Sequence, residues 1–232
     1  MKRILAISDQ VVSTLYSPDM SRLVGPVDLL LSCGDLPYSY MEFIVTHIKV
    51  RNAFFVHGNH DTPELLESGR VIQSPGGWQN IDQKSVYDPK SNLIVAGLEG
   101  SIWYKPDAPY QYTETEMRLR AQRLILRLLF NKVKYGRYLD ILIAHSPASS
   151  ILDGPDNAHR GFKIFLTLIH RFKPRLFLHG HKHHYGPGTW RARHENTDIV
   201  NVHPFRLIQL GPNEISYSTV SYTHLTLPTK RI

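Results

Sequence analysis

Metal-ligand side chains recur where short apolar runs of this chain end. Carboxylates, histidines and one carboxamide follow five such runs. The five segments are 4–9, 29–35, 54–61, 142–145 and 178–183. Oxygen and nitrogen donors of this kind, without cysteine, suit Mn, Fe, Zn or Co. The residue types therefore predict a site for divalent transition metals.

A carboxylate can also bridge two cations. Two cations held about 3.5–4 Å apart activate a water molecule and neutralise charge on a phosphate oxygen during in-line attack. The predicted donors therefore favour a phosphoester as the substrate.

The spacing of apolar residues predicts the elements that position these donors. Continuous apolar runs bounded by glycine and polar residues are typical of strands buried on both faces. Ligands at the downstream ends of such strands converge on one edge of a sheet. Helical patterns separate the strands at 41–50, at 113–136 after a capping-box signature, and at about 159–172. Alternating strands and helices predict an α/β fold.

Composition restricts the class of protein. The 232 residues suit one domain, predicted to span 1–219. The single cysteine, Cys33, cannot form an intrachain disulfide, and no leader or membrane-length apolar stretch opens the sequence, so we expect a cytoplasmic protein. The charge of +7, from 27 basic and 20 acidic residues, favours anionic partners. No nucleic-acid module is recognisable in the sequence.

The last residues look foreign to the domain. Segment 220–229 resembles the translation of a transposase adapter from sequencing libraries, and we expect 220–232 not to be native. Without Lys230 and Arg231 the charge would be 7 minus 2, or +5.

Together the five segments resemble the calcineurin-like metallophosphoesterase superfamily. Four blocks match its pattern in the family's order, and any one of them alone would be weak evidence. The blocks are Gly34-Asp35, Gly58-Asn59-His60-Asp61, His145 and Gly180-His181-Lys182-His183. The resemblance implies an α/β sandwich with mixed β-sheets flanked by helices, and a phosphoric ester hydrolase whose nucleophile is a metal-bound hydroxide.

The resemblance also implies a role for each matched residue. Asp35 would bridge two metals, manganese or iron with zinc also compatible. The remaining ligands would be Asp9 and His183 on one metal, and Asn59, His145 and His181 on the other. His60 would lie outside the ligand shell as the general acid or as a contact to the substrate phosphate, and Asp61 would orient its ring.

The first block departs from the family pattern. Val11 stands where the pattern has histidine, and valine cannot coordinate a metal, so one metal site is expected to bind weakly. Purple acid phosphatases in the same superfamily supply a tyrosine from a Gly-Asp-x-x-Tyr block, which Gly34 to Tyr38 fits. Tyr38 is thus a candidate ligand, with a packing or substrate-stacking role as the alternative.

Two basic features are further candidates. Arg160, in a polar loop that leads into a helix, could hold a substrate phosphate, although capping and loop structure also explain this segment. Arg120, Arg123, Arg127 and Lys134 share one predicted helix face. This face could bind nucleic acid or an anionic membrane surface. A solvated face explains it without a partner.

The sequence thus predicts hydrolysis of a phosphodiester or phosphomonoester in a phosphorylated small-molecule or nucleotide-like substrate. The alternative is a non-catalytic scaffold that keeps the fold and binds a partner. Val11 is the main support for that alternative, and His60 and Asp61 oppose it because a scaffold does not need them.

Overall fold

Two six-stranded mixed sheets form the centre of the protein, and helices cover both outer surfaces. The structure is a computed structural model that describes residues 1–183 and 188–218. It confirms the α/β sandwich with mixed sheets flanked by helices. The expectation that all ligand-bearing strands share one sheet is wrong, because the strands are divided between the two sheets.

The first sheet contains the strands that precede the first three motifs. Its spatial order is β16 (Ile215–Ser218), β15 (Phe205–Leu210), β1 (Lys2–Ile7), β2 (Leu29–Ser32), β3 (Ala53–Phe55) and β6 (Gln79–Asn80). Strands β1, β2 and β3 are parallel, while β15 and β16 extend the sheet in antiparallel pairs. The carboxyl ends of β1 to β3 therefore lie at the same edge.

The second sheet contains the strands that precede the last two motifs. Its order is β13 (Arg191–His194), β14 (Thr197–Asn201), β12 (Leu176–His179), β11 (Ile141–Ala144), β8 (Leu93–Leu98) and β7 (Ser85–Asp88). The central strands β14, β12, β11 and β8 are parallel. Two short ladders complete the described strands: β4 (Glu64–Leu65) with β5 (Val71–Ile72), and β9 (Ser101–Ile102) with β10 (Gln111–Tyr112).

Alternating side chains of the strands build separate apolar layers. In β1, Ile4 and Ala6 enter the core between the sheets, while Leu5 and Ile7 join the outer core. That outer core packs against α1 (Met20–Val24) and α2 (Tyr38–His47). A third core packs the outer face of the second sheet against α3 (Glu114–Tyr135) and α4 (Lys163–Phe172). Both faces of each sheet are therefore buried, as the continuous apolar runs predict.

Helix α3 is the longest described helix, as its capping signature and apolar spacing predict. The Thr113 hydroxyl accepts the Glu116 backbone N–H at 3.2 Å, and the Glu116 carboxylate accepts the Thr113 N–H at 2.7 Å. The helix ends at Gly136, whose φ of 75° is left-handed. The sequence therefore specifies both ends of this element.

The predicted non-native segment 220–232 lies outside the described residues, so the domain boundary at 219 stays a prediction. Within the described residues, none of the helices combines the length and the apolar composition needed to span a membrane.

Replacing Thr113 with alanine removes the cap of α3 and should lower the free energy of unfolding by about 1 kcal/mol. Urea unfolding of both proteins measures the difference. The control is Thr115→Ala, an exposed threonine two residues further on that takes no part in the cap. Equal stabilities for the two variants would contradict this role of Thr113.

Candidate metal centre

Three predicted ligands lie in strained turns directly after buried strands. Asp9, Asp35 and His181 have φ values of 65°, 57° and 64°. Residues other than glycine rarely adopt this left-handed backbone conformation, and strain of this kind is concentrated at functional sites. The surrounding structure must therefore hold these turns in place.

The turns bring together donors from both sheets. Asp35, His145 and His181 each offer a ligand atom, and these atoms all lie within 4.8 Å of one another. The Nε2 atom of His145 lies 3.3 Å from Asp35 Oδ2 and 3.1 Å from His181 Nδ1. It lies 3.0 Å from Asn59 Oδ1. Four residues from separate motifs thus meet at one point.

The charges at this point are strongly coupled. Burial alone would lower the pKa of His145, but the charge of Asp35 raises it to about 9. Burial alone would raise the pKa of Asp35, but the charge of His145 lowers it to about 2. Burial and the charge of His145 lower the pKa of His181 to about 3. The structure therefore gathers three electron-pair donors around His145 Nε2. A divalent cation would use the same donors, so their chemistry fits a metal.

Asp9 contacts this group through the backbone of His181, and His183 follows His181 by two residues in the chain. The Asp9 carboxylate accepts the backbone N–H of His181 at 2.9 and 3.1 Å, and burial raises its pKa. The ring of His183 stacks on that of His203, with 4.8 Å between centroids. Among the described residues, neither belongs to the three-residue donor cluster. Their role as ligands stays a prediction.

The Asp61 carboxylate joins two motif loops. It accepts the backbone N–H groups of Gly58 at 2.8 Å and of Asp35 and Leu36 at 3.1 Å. Both of its oxygens are therefore engaged by the backbone in this structure. The predicted orientation of the His60 ring by Asp61 is not among these contacts and stays a prediction.

Two motif glycines are required by close packing rather than by metal chemistry. A Cβ atom on Gly58 would lie 2.0 Å from Asp35 Oδ1. A Cβ atom on Gly180 would lie 1.9 Å from Ser8 Oγ and 2.4 Å from Asp9 Oδ2. Any side chain at these positions would displace predicted ligands.

His60 lies at a cleft beside the donor cluster. Its side chain is exposed, and its backbone N–H donates to Asp35 Oδ1 at 2.8 Å. The cleft has a volume of about 320 Å³ and is lined by Asp35, Leu36, Pro37, His60, Asp61, Thr62 and Glu64. The ring of His60 is therefore accessible to a molecule bound next to Asp35.

The loop that carries Arg160 contacts the centre through a neighbouring residue. The carbonyl oxygen of Ala158 lies 2.6 Å from His181 Nε2. Arg160 itself is exposed, and its Nη2 donates to Asn157 at 3.1 Å. This loop therefore borders the donor cluster, and phosphate binding by Arg160 stays a prediction.

The structure buries Tyr38 in the outer core of the first sheet. Its ring is 2% exposed and packs with α1 and α2, and burial raises its pKa well above the ordinary value. Val11 is 39% exposed. Ligation by Tyr38 stays a prediction, as does its alternative role in packing or substrate stacking.

The sequence does not predict two sets of polar contacts that the structure shows, those of Asn59 with Tyr104 and those of Arg120. Asn59 Nδ2 donates to the Tyr104 hydroxyl at 3.0 Å, which leaves Asn59 Oδ1 facing His145. Arg120, predicted on an open helix face, is only 17% exposed and pairs with Asp82 at 2.6 Å and Glu99 at 2.8 Å. Tyr104 follows a strand in the sequence, but no motif connects it to Asn59.

Replacing Asp61 with asparagine should lower the free energy of unfolding of chelator-treated protein by about 1–3 kcal/mol, because an amide N–H₂ would replace one acceptor of three buried N–H groups. Urea unfolding measures the change in the free energy of unfolding. The control for an aspartate-to-asparagine change is Asp107→Asn, at an exposed loop residue. A loss no larger than that of the control would show that the Asp61 carboxylate does not hold the loops.

Comparisons with known proteins find relatives of similar length and fold. An uncharacterized protein of Haemophilus influenzae is 21% identical over 215 residues, which cover 85% of this chain and 86% of the relative. The crystal structure of TT1561 from Thermus thermophilus shares 16% identity with a TM-score of 0.61, over 95% of this chain and 99% of that one. Phosphopantetheinyl hydrolase from Mycobacterium tuberculosis shares 12% identity with a TM-score of 0.54, over 87% and 88%. At these identities, the two structures show a common fold only.

The family comparison extends over most of the chain. Residues 3–185 match the calcineurin-like phosphoesterase family. This range contains every motif residue of the donor cluster and the cleft beside it. The chain therefore belongs to the calcineurin-like phosphoesterase family.

Proposed function

We propose that this protein hydrolyses a phosphomonoester or phosphodiester, in a phosphorylated small molecule or nucleotide-like substrate, with the help of bound divalent cations. The observation that carries the proposal is the meeting of Asn59, Asp35 and His181 around His145 Nε2. The M. tuberculosis neighbour, named as a hydrolase, supports this type of reaction but does not define the substrate.

In this proposal, two groups of residues bind the cations. Asp35, Asn59, His145 and His181 would hold one cation, and Asp9 and His183 would contribute to a second that Asp35 also contacts. Manganese and iron suit these donors best. Cations bound there supply Lewis acidity, which lowers the pKa of coordinated water and neutralises charge on phosphate oxygens.

In this proposal His60 transfers a proton to the leaving group. Its exposed ring borders the cleft next to Asp35, where the leaving oxygen of a bound ester could lie. A protonated imidazole there would donate to that oxygen as the ester bond breaks. Arg160, on the loop that contacts His181, would hold a phosphate oxygen through its guanidinium group.

A scaffold role is the second candidate, and Val11 is the observation that favours it. Val11, which is exposed, stands where the family pattern has a ligand histidine. A scaffold of this kind would bind cations without turnover.

Protein stripped with a chelator should not hydrolyse bis-p-nitrophenyl phosphate, and added Mn²⁺ should restore turnover. His60→Ala should then lower kcat by about 10²–10⁴-fold, because a general acid contributes this much. His170→Ala is the control, since His170 is an exposed histidine on α4 that pairs with Glu195. No turnover of this diester or of p-nitrophenyl phosphate with either Mn²⁺ or Fe²⁺ would favour the scaffold.

Replacing Tyr104 with phenylalanine should weaken Mn²⁺ binding by about tenfold, because residues that orient a ligand commonly have effects of this size. Titration calorimetry measures the affinity. Tyr87→Phe is the matched control, since it removes another tyrosine–asparagine hydrogen bond, from Tyr87 to Asn92 at 3.2 Å. Equal affinities in the two variants would show that Tyr104 does not orient Asn59.

A further inference from the structure

The outer face of α3 exposes large apolar side chains. They are Leu119 (57% exposed), Leu126 (69%), Leu129 (38%), Phe130 (62%) and Val133 (87%). Leu119, Leu126 and Val133 recur at heptad spacing, so they form one stripe along the helix. We call this stripe the α3 face.

Exposed apolar residues are concentrated on this face. Eleven large apolar side chains of the described residues are exposed, and five of them belong to α3. Single exposed apolar residues are normal on soluble proteins, whereas a contiguous patch marks an interaction site. The opposite side of α3, with Met117, Leu124 and Leu128, already packs in the core. Stability of the domain therefore does not explain the α3 face.

Basic side chains flank the stripe. The exposed ones are Arg118, Arg123, Arg127, Lys132 and Lys134. From residue 117 to residue 135 the helix contains no aspartate or glutamate. Within the part of the chain that the structure describes, Arg127 forms no ion pair, so its charge is available to a partner. The α3 face is thus an apolar stripe with positively charged side chains along both of its borders.

A cleft adjoins the stripe where α3 meets the edge strand β7. It has a volume of about 360 Å³ and is lined by Ser85, Tyr87, Leu126, Arg127, Phe130, Asn131 and Tyr135. The rings of Tyr87 and Tyr135 stack with 4.6 Å between centroids. Aromatic walls of this size suit an inserted leucine or phenylalanine side chain.

We propose that the α3 face binds an amphipathic helix of a partner protein, with an apolar stripe and acidic borders. The apolar stripe would pack against Leu119, Leu126 and Val133, and one apolar side chain would enter the cleft. Carboxylates of the partner would pair with Arg123 and Arg127.

The charge and shape of the face favour this partner over two others. A second copy of the chain would place the same basic borders against each other, and like charges across an interface are unfavourable. An anionic membrane would accept the basic borders but would not fill the concave cleft. An acidic helix satisfies both features.

The test uses two fluorescently labelled synthetic helical peptides that both have leucines along one side. The first peptide has glutamates on the opposite side, and the second, matched peptide has lysines at the same positions. Fluorescence anisotropy should show that the full chain binds the glutamate helix and does not bind the lysine helix. L126S combined with F130S should weaken binding by at least about tenfold, since apolar anchors dominate such interfaces. R123E combined with R127E should also weaken it, and added salt should reduce the wild-type affinity.

Several outcomes would overturn the proposal. These are absence of binding by the wild type, equal binding of the two peptides, and equal binding by wild type and L126S/F130S. Binding to vesicles of phosphatidylcholine and phosphatidylglycerol, abolished by L126S/F130S without peptide binding, would identify a membrane surface instead. A dimer that L126S/F130S dissociates, in size-exclusion chromatography with light scattering, would identify a second copy. Unchanged thermal unfolding and Mn²⁺-dependent hydrolysis in the variants would establish that only the surface was altered.

Discussion

The close contact between the loops after β2 and β3 is the constraint on which the centre depends. Gly58 lies against Asp35 without room for a side chain, and the Asp61 carboxylate accepts N–H groups from both loops. The same arrangement directs the His60 N–H to Asp35. Because the donors Asp35 and Asn59 lie on these two loops, their separation depends on the hydrogen bonds from backbone N–H groups to the Asp61 carboxylate.

The packing of the two sheets supplies the other half of the centre. His145 and His181 follow strands of the second sheet, so they reach Asp35 only if the sheets lie at the right separation. Close contacts between the sheets set this distance: a Cβ atom on Gly97 of β8 would lie 2.7 Å from Val56 and 2.9 Å from Ile81. His145 Nδ1 then lies 2.7 Å from the carbonyl oxygen of Cys33, which connects the second sheet to the first. The apolar core thus determines the geometry of the polar site.

The sequence predicts features that depend on local patterns. The ends of α3 follow from Thr113 and Gly136, and the positions of the donors follow from apolar runs that stop at polar residues. Contacts between distant segments are not readable in the same way. Arg120 pairs with Asp82 and Glu99, which are 38 and 21 residues away, and helical periodicity alone places it near solvent. The division of strands between two sheets is hidden for the same reason, because strand pairing is a long-range property.

Val11 raises the question of how much the predicted centre loses when the family's histidine is missing at this position. The lost histidine belongs to the side of the predicted centre that contains Asp9 and His183. The donors that the structure draws together are Asp35, Asn59, His145 and His181, which are the complete predicted set for the other side. Asp35 and His145 pair their charges within this set, which offsets the cost of burying them. This set supports the proposal that one cation is bound firmly and that Val11 weakens only the second.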